Sequence, residues 1–134
     1  MTTDLLRIGY EQVQGYLPFQ AWLDDPAGRP VASLATVDVA EAVRIHESGR
    51  LPVMDVRFDS DLRDLPLPNA LHRPVDRLST WVDATTGVEA HPEPLVVCSA
   101  GSRATTIGSV LQARGLEPRV LIDGGASDLV EAGE

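Results

Sequence analysis

Three short apolar runs, Leu51 to Val56, Leu95 to Val97 and Val120 to Ile122, stand apart in the chain, separated by segments of a different period. Runs this short, rich in Val and Ile and bounded by turn residues, read as buried strands rather than helices. The intervening segments carry helical spacing. Asp38 with Glu41 forms a capping box ahead of Val39, Ala42, Val43 and Ile45, and Gly49 is placed to end that helix. A short helix is expected over Asp76–Val82, with Leu78, Trp81 and Val82 on one face. A longer one runs from Arg103 to Arg114 through Ala104, Ile107, Val110, Leu111 and Ala113, closed by Gly115. A last helix near Ser127–Ala132 follows the Gly124-Gly125 turn. Phe58 to Pro74, with Pro66, Pro68 and Pro74, reads as a loop, and Asp83 to Pro94 as a polar connector. Uniformly apolar strands alternating with helices imply an α/β fold, an open parallel sheet with helices on both faces.

Residues 1–35 differ in character. Tyr10, Tyr16, Phe19 and Trp22 place four of the six aromatic residues there, and Pro26, Gly28 and Pro30 then interrupt the segment. The expected organisation is an N-terminal extension over 1–35 and the α/β domain over 36–134. Gly15-Tyr16 followed by Ala21-Trp22 and Gly28 faintly echoes Gly124-Gly125 followed by Leu129 and Gly133. The extension is therefore either an ordinary one or the tail of a preceding unit of the same kind. Asp4, Arg7, Glu11, Gln12 and Gln14 break any signal-peptide core, and no run approaches the length of a membrane span, so a cytoplasmic location is the default.

Charge narrows the function. A formal net charge of −9 argues against nucleic-acid and anionic-membrane partners, which need cationic surface. All 11 basic residues are arginine, so Schiff-base lysine chemistry and a Walker-type phosphate loop are excluded. The single cysteine, Cys98, rules out an intramolecular disulfide, a multi-cysteine zinc site and an internal resolving thiol. His46, His72 and His91 make no ligand pair at helical or hairpin spacing, and the run Asp59, Asp61, Asp64 lacks the glycine and glutamate of a calcium loop. No metal and no cofactor is expected.

Cys98 follows a buried strand, and Ser99, Ala100, Gly101 and Ser102 then lead to Arg103 at the start of a helix. In open α/β sheets this is where ligands bind. Backbone N–H groups from Ser99 to Arg103 can converge above the sulfur. Gly101 supplies conformational freedom, and the positive end of the helix faces the same point. A cradle of this kind stabilises anions and favours thiolate over thiol.

The pattern Cys98-x-x-Gly101-x-Arg103 resembles the active loop of the rhodanese family of sulfurtransferases. Asp55-Val56-Arg57 at a strand end, Pro68-Asn69-Ala70-Leu71-His72-Arg73-Pro74 in place of the family's Pro-Gly-Ala-x-x-x-Pro turn, and Gly124-Gly125 add to the resemblance over 36–134. Leu65-Pro66-Leu67 stands where the family often has Gly-His-Ile, and Leu129 replaces the usual Trp. Ile8-Gly9-Tyr10 through Trp22 resembles the join before the rhodanese unit in fusions with metallo-β-lactamase-type hydrolases, which would make a hydrolase or a second rhodanese unit a partner. The resemblance implies a rhodanese-like sheet and a sulfur relay. Cys98 would take a sulfane sulfur from thiosulfate or a low-molecular-weight persulfide, hold it as a persulfide in the cradle of Ser99, Ala100, Gly101, Ser102 and Arg103, and pass it to a thiol or to cyanide.

Arg103 has two readings, contact with an anionic donor or bracing of the loop through a carboxylate, for which Asp55 is the candidate, with Arg57 beside it. Arg57, Arg73 and Arg77 are candidates for the mouth of the site. Phosphatases with a Cys-to-Arg cradle place five residues between the two; here four intervene, which suits a single sulfur better than a phosphate. The alternative to an enzyme is a catalytically silent rhodanese-like module that binds or regulates a partner.

Overall fold

A computed structural model of the chain describes residues 15–28, 32–83 and 91–134. The chain divides into two units between Ser33 and Leu34. In the first, a five-residue helix α1 (Phe19–Leu23) begins after Pro18. Phe19 and Trp22, one turn apart, stack with ring centroids 5.8 Å apart, and Gln20 donates to the Asp24 carboxylate. The Ile8-Gly9-Tyr10 resemblance lies outside the described residues, as does 84–90 of the connector.

The second unit runs β1 (Ala35–Val37), α2 (Val39–Ser48), β2 (Val53–Asp55), α3 (Asp59–Asp64), β3 (Leu71–His72), a 3-10 turn (Val75–Arg77) leading into α4 (Leu78–Trp81), β4 (Leu95–Val97), α5 (Ser102–Ala113), β5 (Arg119–Leu121) and α6 (Ala126–Ala132). The five strands form one sheet in the order β1-β5-β4-β2-β3, and each described pairing is parallel. Among the described residues no helix is long and apolar enough to cross a membrane.

Strand alternation divides the core between the faces. Leu95 and Val97 of β4 pack with Val53, Leu121, Ala42, Ile45 and Leu129 beneath α2 and α6. Val96 packs on the other face with Met54, Val120, Ile107, Leu111 and Trp81 beneath α4 and α5. The capping box ahead of α2 is formed on one side: the Asp38 carboxylate accepts from Glu41 N at 2.8 Å, and Gly49 ends the helix with φ 64°. Trp81 seats its indole by donating to the Pro74 carbonyl at 2.9 Å.

Three elements depart from the sequence reading. The 58–74 stretch read as loop holds α3 and β3. Helix α3 buries no residue, so it carries no apolar period; it is held instead by Asp61, whose carboxylate accepts from Phe58 N at 3.1 Å. The two residues of β3 pair with Met54 and Asp55 of β2, too few to alternate visibly. Strand β1 is an edge strand whose only buried residue is Val37, and it owes its existence to pairing with β5.

The sheet order positions the site. From β4 the chain crosses through α5 to β5 on one side, whereas from β2 it crosses through α3 to β3 on the other. The carboxyl ends of β4 and β2 therefore flank the switch point where open α/β sheets bind ligands.

Candidate active site

Cys98 leaves the end of β4 and is 1% exposed. Its Sγ accepts two backbone hydrogen bonds, from Gly101 N at 3.0 Å and Ala104 N at 3.4 Å. Gly101 turns the loop with φ 99°, in the left-handed region that favours glycine, and a Cβ there would lie 3.3 Å from the Leu121 carbonyl oxygen. Thr105 N takes the Gly101 carbonyl as the first bond of α5. The helix's leading N–H groups, those of Ser102, Arg103 and Ala104, have no intrahelical acceptor and remain for a ligand or for the sulfur. Ala104 is a donor that the sequence reading, which stopped at Arg103, did not include. As the third helical residue it belongs to that unbonded first turn, the signal that identifies it. The side chains of Ser99, Ala100 and Ser102 are exposed on the outer rim.

The double glycine supports the loop from behind. Ala126 N donates to the Cys98 carbonyl at 2.8 Å, and Gly125 lies directly against the Ser99 carbonyl, in space that a Cβ would need. Asp128 completes the turn by accepting from Gly125 N at 2.9 Å.

Arg103 braces the loop, through a different partner from the one expected. Its Nη2 donates to Ser99 Oγ at 2.8 Å and its Nη1 to Asp61 Oδ2 at 3.2 Å, with the guanidinium 4.7 Å above the Phe58 ring. One cation thus ties the Cys98 loop, α5 and α3 together. The Arg103 hydrogen bond holds the Asp61 carboxyl below the usual carboxylate range against some loss of hydration, helped by Phe58 N–H and the charges of Arg103 and Arg57. Asp55, the expected partner, is engaged elsewhere. It is buried at the end of β2 and takes Arg57 Nε at 3.0 Å and Nη2 at 2.8 Å, while Arg57 Nη2 also donates to the Leu65 carbonyl. Two residues along an extended strand end bring Arg57 back over Asp55, so this pair closes locally and Asp55 is engaged by Arg57 instead of Arg103.

The other arginines expected at the mouth are also engaged. Arg77 pairs with Asp59 at 2.6 Å, and Arg73 donates to the His72 carbonyl at 3.0 Å. His72 Nε2 lies 2.9 Å from the Arg57 carbonyl, which can only accept, so that nitrogen carries the proton. Between the loops after β4 and β2 opens a cavity of about 210 Å³ lined by Arg57, Asp61, Asp64, Leu65, Ser99 and Ser127. Its β4 wall, Ser99, is the neighbour of Cys98. A larger cavity of about 460 Å³ brings His46, Asn69 and His91 together beside Leu51 and Pro52, at the opposite end of β2 from the Cys98 loop. Of the two, the smaller one borders the Cys98 loop, through Ser99, while Cys98 itself is buried behind that wall. Among the described residues no three of His, Cys, Asp or Glu are grouped to hold a metal ion.

No protein-family model matches the chain, and no curated protein matches its sequence. Solved structures do. A rhodanese-like domain protein from Staphylococcus aureus superposes with a TM-score of 0.60 at 22% identity, over 72% of this chain and 91% of that one. A single-domain sulfurtransferase from Saccharomyces cerevisiae gives 0.59 at 15% identity, over 78% and 95%. The chain has the rhodanese-like fold. A protein of unknown function from Rhodopseudomonas palustris, described as a possible tyrosine phosphatase, gives 0.61 at 25% identity, over 93% and 97%.

On the rhodanese-like fold three of the resembling segments border the switch point, and the fourth, Pro68 to Pro74, starts at the far end of the sheet and reaches it through β3. Cys98 to Arg103 is the switch-point loop, Asp55-Val56-Arg57 closes β2, Pro68 to Pro74 carries β3, and Gly124-Gly125 backs the loop. Asn69, where the family pattern has Gly, adopts φ 58°, a conformation Asn tolerates better than most residues. Leu129, in place of Trp, is buried on the inner face of α6 in a core that aliphatic side chains fill.

Proposed function

We propose that the chain is a sulfurtransferase that carries a sulfane sulfur on Cys98, taking it from a low-molecular-weight persulfide or thiosulfate and passing it to a thiol, with cyanide as an assay acceptor. The observation that carries this reading is the pair of backbone N–H groups, Gly101 and Ala104, directed at Sγ from the start of a twelve-residue helix. These donors stabilise negative charge on sulfur.

In the first step the Cys98 thiolate attacks the outer sulfur of the donor. A new S–S bond forms to Sγ, the donor's own S–S bond breaks, and its electron pair leaves on sulfite or on the donor thiolate. The terminal sulfur, now anionic, takes up the N–H groups that α5 leaves unbonded in its first turn. In the second step an acceptor thiolate attacks that terminal sulfur and the pair returns to Cys98. No oxidant or cofactor enters. With no second cysteine in the chain, the acceptor belongs to another molecule, and a lone thiol suits a reducing compartment such as the cytoplasm.

A second reading has one observation in its favour: the 1% exposure of Cys98 suits a silent binding module. Steady-state transfer from glutathione persulfide or thiosulfate, followed as thiol persulfide or thiocyanate formed, separates the two. Turnover lost in Cys98→Ser supports the enzyme, and no turnover from folded wild type supports the module. An aryl phosphate run in parallel addresses the phosphatase description of the Rhodopseudomonas palustris neighbour; four residues between Cys98 and Arg103, and a guanidinium already engaged, lead us to expect no hydrolysis.

A further inference from the structure

We infer that Asp61 sets donor preference: by pairing with the Arg103 guanidinium beside Ser99, it cancels the loop's only cation at the cavity wall and biases the site toward thiol persulfides over doubly charged thiosulfate. This inference rests on the sulfurtransferase reading. Ser99, Ala100, Gly101 and Ser102 are neutral, so Arg103 is the one formal charge in the loop. Its two terminal nitrogens are spent on Asp61, at 3.2 Å, and Ser99 Oγ, at 2.8 Å, and its flat face lies over Phe58. The nearby arginines do not replace it. Arg57 is sealed against Asp55 at 3% exposure, Arg77 is matched by Asp59, and Arg73 is turned onto the His72 carbonyl. Asp64 adds a carboxylate to the cavity wall beside Ser99. A dianion arriving at this mouth in a chain of net charge −9 thus meets backbone N–H groups and, in Arg57, Arg77 and Arg103, cations already paired with carboxylates.

The Arg103–Asp61 pair is at the surface, with side chains 25% and 35% exposed, so undoing it leaves no buried charge. Asp61→Asn keeps the side chain's size and its oxygen for Phe58 N–H while removing the charge that anchors the guanidinium. Arg103, hinged at α5 and already bonded to Ser99, is then free to face the donor. A free unit charge within a few ångströms of a dianion in water-like dielectric raises affinity on the order of tenfold, less at high salt.

The test measures kcat/KM for thiosulfate and for glutathione persulfide in wild type and four variants. Asp61→Asn is expected to raise the thiosulfate-to-persulfide ratio by about tenfold at low salt, with the gain shrinking as salt increases. Asp61→Glu, which keeps the charge, should retain the wild-type ratio. Asp64→Asn removes an equal charge from α3 without releasing a guanidinium and should move the ratio less. Asp61→Asn combined with Arg103→Ala should abolish the gain. An unchanged ratio in Asp61→Asn, or equal losses with both donors, overturns the inference while leaving the sulfurtransferase reading in place. Transfer from neither donor by wild type overturns that reading and this one with it.

Discussion

Gly125→Ala is expected to unseat the Cys98 loop. Gly125 is extended, at φ −160°, so any residue can adopt its backbone conformation; what forbids a side chain is space. A Cβ would occupy the position of the Ser99 carbonyl and come within 2.6 Å of the Cys98 carbonyl oxygen. Non-bonded carbon contacts sit near 3.5 Å, so the Cys98 loop and the start of α6 must part by about 1 Å. That separation stretches the 2.8 Å bond from Ala126 N to the Cys98 carbonyl beyond hydrogen-bonding range. Overpacking costs about 1–3 kcal/mol and the lost bond about 1 kcal/mol more, giving roughly 2–4 kcal/mol. For a domain near 100 residues this lowers Tm by roughly 10–20 °C. Thermal melts followed by circular dichroism measure it, with Gly124→Ala as the comparison. A Cβ at Gly124 meets Val39 Cγ2 and Asp128 Oδ2, side-chain ends that can shift, so its cost should stay near 1 kcal/mol. A Gly125→Ala protein that melts within about 2 °C of wild type would refute this account of how the loop is held.

Other perturbations probe the rest of the site. Arg57→Ala leaves Asp55, 1% exposed, as an uncompensated buried charge and should cost about 3–5 kcal/mol in urea unfolding; a loss under about 1 kcal/mol would contradict the buried-pair description. Gly101→Ala forces a side chain into φ 99° against the Leu121 carbonyl and should destabilise by about 1–3 kcal/mol while slowing sulfur uptake, read by denaturant midpoints and loading kinetics. Because Arg103 lowers the Asp61 carboxyl in the folded state, the pair contributes stability above the ordinary value of 3.8, and that contribution is lost as pH falls through the lowered value. The stability gap between wild type and Asp61→Asn should accordingly be present at neutral pH and close in strong acid, which urea midpoints across pH will test.

The interior of this fold was legible because burial leaves a pattern. Val53-Met54 and Leu95 to Val97 lie inside on both faces and read as continuous apolar runs, while Ala104, Ile107 and Leu111 keep helical spacing toward the sheet. Edge and surface elements leave no such trace: β1 buries one residue, β3 has two residues in all, and α3 has Leu62 as its one apolar residue and buries none. The same limit governs the site. Local chemistry identified Cys98, Gly101 and the helix start, because strand, loop and helix adjoin in sequence. The partner of Arg103 is set 42 positions away by a helix the pattern does not reveal, so sequence alone points to Asp55 and the fold supplies Asp61. Asp55 and Arg57 belong together, but to each other.

The central claim is that Cys98 carries sulfur. Intact-mass spectrometry of wild type and Cys98→Ser after incubation with glutathione persulfide, and separately with thiosulfate, tests it most directly. The account predicts a gain of ~32 Da, one sulfur atom, in wild type alone, removed by cyanide. Folded wild type that gains no mass with either donor, or Cys98→Ser that gains as much, would contradict it.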